Sequence, residues 1–468
     1  MTPSTRTTSA PSLGAVPPND GNARRPAIGP IRAPRASGIV EEDLAGGLHA
    51  IVARRADVPM VELRLGFPLA GDVIAKPAAI TVLSESLLAG TAHYDRAGLA
   101  SAVQRIGGHV AAVVAGDWIL ISGSVLAEHL AEMLHIVGEV LASASYPSPE
   151  VSADRDRMAD QVLMALSQPE VVADEELGRR LYGEHPYASG LPSPSAVRQV
   201  SAARLRRLHH ESFAPRLGHF VLVGDVTPKR ALAAAEGAFE QWFTQAPAEA
   251  TAQLDPLPPV RLGPLQLFSR PGAAQSNIRM ARLAPTRSDP SWPAAALANL
   301  IFGGLFSSRL VENLRERNGY CYTPRTSFDH GRAGSSFVVE ADVATASTAA
   351  SVVEIDYELG RIATQGVKEE ELEFARRYAL GSLSFEMATQ EGLASRLISL
   401  AIVGLDPGYL SRYAAALKRV KLEEVDEIAR RLLAPLRMVT VVLGDADLVG
   451  ASLSLVADVQ PRRVSLPR

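Results

Sequence analysis

Cysteine is almost absent from this sequence, since Cys321 is the only one among 468 residues. One thiol cannot form an intrachain disulfide, so the fold depends on a hydrophobic core, and a reducing compartment, the cytoplasm, is the simplest fit. Cys321 lies between two tyrosines in a strand-like stretch. This position favours a small buried hydrophobe over a catalytic thiol.

An excess of charge of one sign is also lacking. The chain has 47 basic and 51 acidic residues and a formal net charge of -4, so composition predicts no nucleic-acid partner. Uninterrupted apolar runs of about 18 residues are missing too. The segments 110–126 and 439–456 come nearest, but Asp117 interrupts one and Asp445 and Asp447 the other. We therefore predict no membrane span.

Changes in composition divide the chain into four segments. Residues 1–37 are rich in Ser, Thr, Pro, Ala and Arg and contain one acidic residue, which predicts a disordered tail. Residues 244–264 contain five prolines and little periodicity, as is typical of a linker. Residues 38–243 and 265–460, on either side of this linker, alternate strand-like and helical patterns, which predicts two domains.

The two predicted domains repeat one another. QVSAARLRRLHHESFAPRLGHFVLVGD, ending at Asp225, matches RVKLEEVDEIARRLLAPLRMVTVVLGD, ending at Asp445, and PAAITVLSESLLAG at Pro77 is echoed by PAAALANLIFGG at Pro293. A similar offset at both ends of a unit indicates duplication. Because strand pairs alternate with helix pairs, we predict an α+β fold, with each copy a mostly antiparallel sheet covered by helices on one side.

Local patterns predict individual elements of the first copy. Residues 48–52 and 58–67 are predicted as neighbouring strands, and 109–114 with 118–124 as a hairpin that turns at Gly116 and Asp117. Apolar spacing predicts helices over the following ranges: 77–88, 94–106, 126–144, 148–166 and 202–213.

The stretch IFGGLFSSRLVENLRERNGYCYTPRTSF, residues 301–328, is the most informative part of the second copy. Gly303 and Gly304 predict a loop, Ser307 and Ser308 a helix start, and Gly319 the end of a helix over 310–317. The residues 320–322 then predict a strand, which would bring Arg315 and Tyr322 together at the rim of a sheet.

A simpler interpretation of this pair needs no function. Arg315 would pair with Glu312 on a solvated helix face, and the ring of Tyr322 would lie in the core. The pattern alone does not separate these alternatives.

The duplication together with GGLFSSRLVENLRERNGYCY resembles the pitrilysin/insulinase-type zinc metallopeptidases, over roughly residues 39–456. The resemblance is closest to the small bacterial members and the mitochondrial processing peptidase group. It implies that Arg315 and Tyr322 match an Arg and a Tyr that project into the cavity of such enzymes. Gly303 and Gly304 would allow close approach of substrate or partner, and Phe306 would line a side-chain pocket or lie in the core.

The inverted zinc motif H-x-x-E-H of that family is missing. Thr81, Ser84 and Glu85 occupy its three positions, and Gln161 lies near the position of the third ligand. The helical neighbours His209 and His210 fit helix surface or core packing better than a metal site. His129 and His135, six residues apart, lack the i, i+4 spacing of ligands on one helix face. We therefore predict no metal in this chain.

The resemblance implies the non-zinc-binding subunit of a heterodimeric zinc metallopeptidase. A homologous partner would hold the zinc, and this chain would contribute Arg315 and Tyr322 to the cleavage of presequences or leader peptides. No activity is expected from the chain alone. The alternatives are a non-catalytic assembly protein of the same fold and a module that only captures peptides.

Overall fold

A computed structural model of the chain describes residues 38–464, with the exception of residue 248. The predicted disordered tail, 1–37, lies outside these residues. Twelve strands are found in the described part: β1 Ile39–Asp43, β2 His49–Arg54, β3 Met60–Pro68, β4 His109–Ala115, β5 Trp118–Leu126, β6 His219–Gly224, β7 Leu265–Ser269, β8 Gln275–Ala284, β9 Arg325–Gly331, β10 Gly334–Ala344, β11 Val439–Gly444 and β12 Val459–Arg462.

Helices connect these strands, and the five predicted in the first copy are confirmed to within a few residues. Their bounds are α1 Gly71–Ile74, α2 Ala78–Ser86, α3 Arg96–Arg105, α4 Leu130–Ser143, α5 Ser148–Ser167, α6 Pro169–Tyr182, α7 Pro194–Arg198, α8 Ala202–Ser212, α9 Pro228–Gln245, α10 Trp292–Asn299, α11 Arg309–Val311, α12 Thr348–Gln365, α13 Glu369–Glu386, α14 Gln390–Ala401, α15 Tyr409–Arg419, α16 Leu422–Leu432 and α17 Ala446–Leu453. Two π-helical segments, Leu300–Gly304 and Glu312–Arg317, adjoin α10 and α11.

The strands form two six-stranded sheets with matching order. The first sheet runs β1-β2-β6-β3-β5-β4 and the second β12-β7-β11-β8-β10-β9. Five consecutive positions correspond strand for strand, so the topology confirms the duplication predicted from the repeated segments. Only the outermost strand differs, because β1 pairs antiparallel with β2 whereas β12 pairs parallel with β7. Most other pairs are antiparallel, as predicted.

One predicted strand pairing is wrong. The strands β2 and β3 are consecutive in sequence but not neighbours, because β6 lies between them, parallel to β2 and antiparallel to β3. Alternation of apolar residues identifies a strand and its faces but carries no information about its partner. A parallel pair also requires a long connection, which here contains β3, β4, β5 and the helices between β2 and β6. The predicted β4–β5 hairpin is confirmed.

Each half lends a helix to the sheet of the other half. The helix α6 packs on β8 and β11 of the second sheet, and α14 packs on β3 and β6 of the first. Leu177 and Leu181 of α6 share a core cluster with Val441 and Leu443 of β11. At Gly66 of β3 a Cβ atom would lie 3.2 Å from Ile398 Cδ1 of α14. Helices therefore cover more than the single side of each sheet that the sequence predicts.

A buried arginine with two half-exposed carboxylate partners lies where α6 packs on the second sheet. The Arg279 guanidinium on β8 donates to Asp174 of α6 at 2.6 Å and to Asp342 of β10 at 2.8 Å. Its side chain is only 3% exposed, and a buried arginine is tolerated where carboxylates compensate its charge. The contact ties the exchanged helix to the sheet that receives it.

The two equivalent hairpin turns also meet. The Asp117 carboxylate, in the β4–β5 turn, accepts from the Arg332 backbone N–H at 2.9 Å and from the Tyr187 hydroxyl at 2.7 Å. Arg332 lies in the β9–β10 turn, the counterpart of the same turn in the second half. The Tyr187 hydroxyl also accepts from Ala333 N at 3.2 Å. The halves thus form one packed unit around this junction.

One helical segment of the described residues, Trp292–Arg317, is long and apolar enough to cross a membrane by length and composition. Most of its apolar window, 72%, is buried inside the fold. Such burial is what a core helix of a globular protein shows. The segment runs through α10 into the stretch that carries Arg315.

Candidate functional site

The predicted loop at Gly303 and Gly304 is wrong, because both glycines belong to a π-helical turn that continues α10. Both are packed closely against neighbouring groups. A Cβ atom on Gly303 would lie 2.6 Å from Thr326 Oγ1, and one on Gly304 would lie 2.8 Å from Asn299 Nδ2. Thr326 and Asn299 are themselves hydrogen-bonded at 2.6 Å. Lack of space, rather than a chain turn, explains glycine at these positions. Their predicted contact with substrate or partner stays a prediction.

The helix that carries Arg315 begins and ends as the sequence predicts. Ser308 precedes α11 with an extended backbone, although its hydroxyl makes no hydrogen bond within the described residues. The last helical turn closes at Gly319, whose φ of 65° suits glycine. The helix thereby turns its end towards the segment 320–324, which crosses to β9.

The predicted strand at 320–322 is reduced to one bridge, between Cys321 and Val343. The strand β9 starts only at Arg325. Pro324 explains the delay, since it lacks the N–H that a continuous ladder requires. Cys321 is buried, as predicted, and burial raises the pKa of its thiol, which opposes a nucleophilic role.

Tyr322 does not belong to a strand, and its ring contacts Arg315 of the preceding helix. The Arg315 guanidinium carbon lies 4.7 Å from the centre of the Tyr322 ring and 4.5 Å from that of Phe306. Both distances fit cation–π contact. We call this arrangement the aromatic clamp: Phe306, Arg315 and Tyr322.

The aromatic clamp lies at the surface. The rings of Phe306 and Tyr322 are 71% and 77% exposed, so the alternative in which Tyr322 lies in the core is wrong. The predicted pair of Arg315 with Glu312 is also wrong, since Arg315 Nε approaches Glu316 at 3.3 Å and Glu312 binds Arg317 instead. The structure thus brings together three of the five predicted site residues.

The geometry of the aromatic clamp suits recognition of a carbonyl group. Two rings hold the planar guanidinium and limit its rotation, so its N–H donors keep a defined direction. The Tyr322 hydroxyl adds a neutral donor on the same exposed surface. This arrangement can donate hydrogen bonds to a bound peptide or to an oxygen on which negative charge develops.

The three positions of the missing zinc motif lie together on α2. The Ser84 hydroxyl donates to the Thr81 carbonyl oxygen at 2.9 Å, and the Glu85 carboxylate accepts from Arg157 Nη2 at 3.2 Å. Gln161 is exposed. Hydroxyls and a carboxylate already paired with arginine do not fit the N and S donor set that zinc prefers. Among the described residues no group of three or more His, Cys, Asp or Glu could hold a metal ion.

A carboxylate that the sequence did not single out organises this region. Asp154 of α5 is fully buried and accepts from Ser86 at 2.7 Å, from Arg96 at 2.6 Å and from Arg157 at 2.6 Å. It joins α2, α3 and α5, whereas Asp160, which precedes Gln161 on α5, pairs with Arg198. Residues 154–157 alternate acidic and basic side chains, a pattern that does not show which carboxylate is buried.

A cavity of about 610 Å³ lies beside the three positions at which the zinc motif is missing. Thr81, Ser84 and Glu85 form part of its wall, together with Val113 of the edge strand β4 and His330 of β9. Burial and the nearby charges of Arg287 and Arg396 lower the pKa of His330 to about 3, so this histidine stays neutral at physiological pH. Residues of both halves line the cavity, which the sequence could not reveal.

His209 lies in the core and His210 at the helix surface, which agrees with the prediction of helix surface or core packing for this pair. His209 is buried on α8, with Nδ1 2.8 Å from the Tyr146 hydroxyl and Nε2 2.9 Å from the Leu141 carbonyl oxygen. Burial lowers the pKa of His209 to about 4. Its protonation would place an uncompensated charge in the core.

His209 should make stability depend on pH. In the unfolded chain the pKa of His209 has its ordinary value of about 6.5, whereas in the folded chain it is about 4. The unfolded state therefore binds the proton more readily, and the free energy of unfolding decreases as pH falls from about 6.5 to about 4. From about pH 7 to about pH 5 this group should cost about 2 kcal/mol. Urea unfolding of wild type and His209→Gln at both pH values measures the effect. The substitution should remove about 2 kcal/mol of the pH dependence, and an unchanged dependence would contradict the assignment. His210→Gln, one residue on and exposed, is the control.

Comparisons with known proteins agree with this architecture. The family description "Peptidase M16 inactive domain" matches residues 199–378. An uncharacterized zinc protease of Mycobacterium leprae is 23% identical over 416 residues, which cover 86% of this chain and 91% of that protein. An uncharacterized zinc protease of Bacillus subtilis is 19% identical over 353 residues, or 75% of this chain and 84% of that one.

Solved structures share the fold. A crystal structure of a peptidase M16 inactive domain from Pseudomonas fluorescens superposes with a TM-score of 0.79 at 22% identity, over 87% of this chain and 97% of that one. The periplasmic protease PqqL of Escherichia coli gives a TM-score of 0.73 at 15% identity, over 87% of this chain but 45% of that one. The predicted processing-peptidase-like fold is thereby confirmed.

Proposed function

Since the chain belongs to the pitrilysin/insulinase-type (M16) peptidase family as a non-zinc-binding member, we propose that it is one subunit of a heterodimeric peptidase. A homologous subunit with H-x-x-E-H would hold the zinc, which activates the attacking water. The observation that carries the proposal is the contrast between two sites. The zinc positions of this chain hold Thr, Ser and an arginine-paired Glu, whereas the aromatic clamp is assembled and exposed.

The exposure of the aromatic clamp favours a role across an interface. Two large rings and an arginine at one surface patch have the composition of interface hot spots. Burial of the Phe306 and Tyr322 rings would contribute favourable free energy, which is not gained while the rings are exposed to water. A partner or a peptide that covers the clamp would recover this stabilisation.

This chain would supply hydrogen bonds rather than the nucleophile. Arg315 would hold a substrate carbonyl in a fixed direction, and the Tyr322 hydroxyl would donate to the oxygen that becomes negative as the carbonyl carbon turns tetrahedral. Phe306 would keep the guanidinium plane oriented. No proton transfer is required of any of the three groups.

The substrate class that fits is an extended peptide, such as a presequence or the leader peptide of a precursor. The strand β4 is the outer strand of the first sheet, and its Val113 lines the cavity and is 55% exposed. An exposed strand edge can pair with an extended chain through main-chain hydrogen bonds. A cytoplasmic location would suit either substrate.

Zinc content tests the proposal directly. We expect about one zinc per heterodimer after co-purification with the partner, and essentially none in this chain purified alone, because its residues lack the donor set. Metal analysis of both preparations, each dialysed against zinc-free buffer, gives the result. Stoichiometric zinc in the single chain would contradict the proposal, and Glu85→Gln would then show whether α2 holds the ion.

The cavity of 610 Å³ supports a second candidate, a substrate-binding or assembly protein without a catalytic share. A cavity of this size can bind a peptide side chain or a short segment whether or not chemistry follows. Such a protein would need the cavity but not the aromatic clamp. Substitution of Tyr322 in the complex separates the two candidates.

A further inference from the structure

A second cavity, of about 740 Å³, lies at the C-terminal end of α6. Its wall contains neither the zinc-motif positions nor the residues of the aromatic clamp. The end of α6, the segment 255–261 between the halves, and the strands β7 and β12 enclose it. Five arginines belong to its wall: Arg179, Arg180, Arg261, Arg462 and Arg463. We call it the arginine pocket.

Arg180 is the most informative wall residue, and its side chain is partly buried. Its Nε and Nη2 atoms are buried and have no hydrogen-bond partner among the described residues. Gly263 packs so closely that a Cβ atom there would lie 2.6 Å from Nη2. Burial and the charge of Arg462 lower the pKa of Arg180. Buried guanidinium N–H groups that lack an acceptor are costly.

The other arginines do not find carboxylate partners in the described part of the chain either, with one exception. Arg179 pairs with Glu175 at 3.2 Å and with Glu176 at 2.9 Å. For Arg261, Arg462 and Arg463 no ion pair is formed within residues 38–464. The remaining acidic wall residues are Glu184 and Asp255, so positive charge predominates.

We propose that the arginine pocket binds a small ligand through a phosphate or polyphosphate group. Guanidinium forks match phosphate oxygens in pairs, and several arginines in the wall of one pocket suit a multiply charged anion better than one carboxylate. The volume lies in the range of small-molecule sites, so the ligand can be larger than inorganic phosphate. Bound there, it would connect α6, the segment between the halves and β12.

Calorimetric titration of the full chain with pyrophosphate, at constant ionic strength, tests the proposal. We expect saturable binding near one equivalent and a higher melting temperature. Arg180→Met should weaken binding by about tenfold or more, since a charge-assisted contact is lost. Arg230→Met is the matched control, because Arg230 is an exposed arginine of α9 outside the pocket, and it should bind as wild type does.

Several outcomes would overturn the proposal. Equal weakening by both substitutions would show a non-specific charge effect, and heat that disappears when ionic strength is matched would show the same. Citrate binding more tightly than pyrophosphate would assign the pocket to carboxylates instead. If Arg180→Met does not fold, Arg462→Gln at the exposed rim replaces it, with weakened pyrophosphate binding expected and unchanged binding contrary to the proposal.

Discussion

Replacement of Tyr322 by phenylalanine should lower kcat of the heterodimer by about 100- to 1,000-fold, the effect of removing one donor to a developing oxyanion. Only the hydroxyl is removed, so the ring can still contact Arg315, 4.7 Å away. Complex formation, zinc content and KM should change little. Turnover of a peptide substrate by the co-purified subunits measures the effect.

Tyr320→Phe is the matched control, because it removes a hydroxyl two residues away in the same segment. It should leave kcat unchanged. Arg315→Lys adds a second comparison: lysine retains the charge but loses the flat fork that Phe306 and Tyr322 enclose, so kcat and peptide affinity should both fall. Wild-type turnover by the Tyr322→Phe complex would refute the catalytic role and favour the substrate-binding or assembly candidate.

The second large effect concerns the exchange of helices between the halves. Residues 38–246 and 264–464, produced separately, should fail to fold into soluble monomers, whereas the pieces produced together should associate. Without α6 the second sheet would expose the face that packs on Val172, Ala173, Leu177 and Leu181. Burial of such side chains contributes about 1.5–3 kcal/mol each for the larger ones, a loss comparable with the roughly 5–15 kcal/mol of a typical domain.

Cleavage of the folded chain provides the control for this prediction. A protease site placed within residues 256–261 and cut after folding should leave the halves associated, since the buried contacts stay intact. Size-exclusion chromatography and circular dichroism report both experiments. A separately produced half that is monomeric and unfolds cooperatively would contradict the prediction. It would show that each sheet folds without the helix contributed by the other half.

The aromatic clamp illustrates how far local sequence reasoning extends. The helix over 310–317 and its end at Gly319 follow from capping and turn preferences, which act within a few residues. Tyr320 and Tyr322 favour a strand because aromatic residues are enriched in strands, whereas Pro324 interrupts the ladder. The aromatic preference placed Tyr322 in a strand rather than on the exposed face of Arg315.

The glycines and the buried carboxylate illustrate the opposite case. Gly303 and Gly304 are typical of a loop in sequence, but Thr326 and Asn299 leave no room for a side chain in the π-helical turn. Asp154 and Asp160 are equivalent in charge and helical context, yet only Asp154 faces Ser86 and Arg96. Such distinctions depend on residues distant in the chain, to which local preferences do not respond.

The sequence by itself determined the duplication, the α+β character of each copy and the absence of an H-x-x-E-H motif, and it singled out Arg315 and Tyr322 as a pair. These features are local patterns or residue types, which need no knowledge of packing. Only the tertiary structure decided that β6 separates β2 from β3, that α6 and α14 are exchanged, and that Phe306 joins the aromatic clamp. It also formed the arginine pocket from three distant segments: the end of α6, residues 255–268 and residues 462–463. The free energy gained by burial depends on which apolar surfaces pack together. Many helices and both sheets of this chain have apolar faces of similar composition, so the sequence does not show which of them pack against each other.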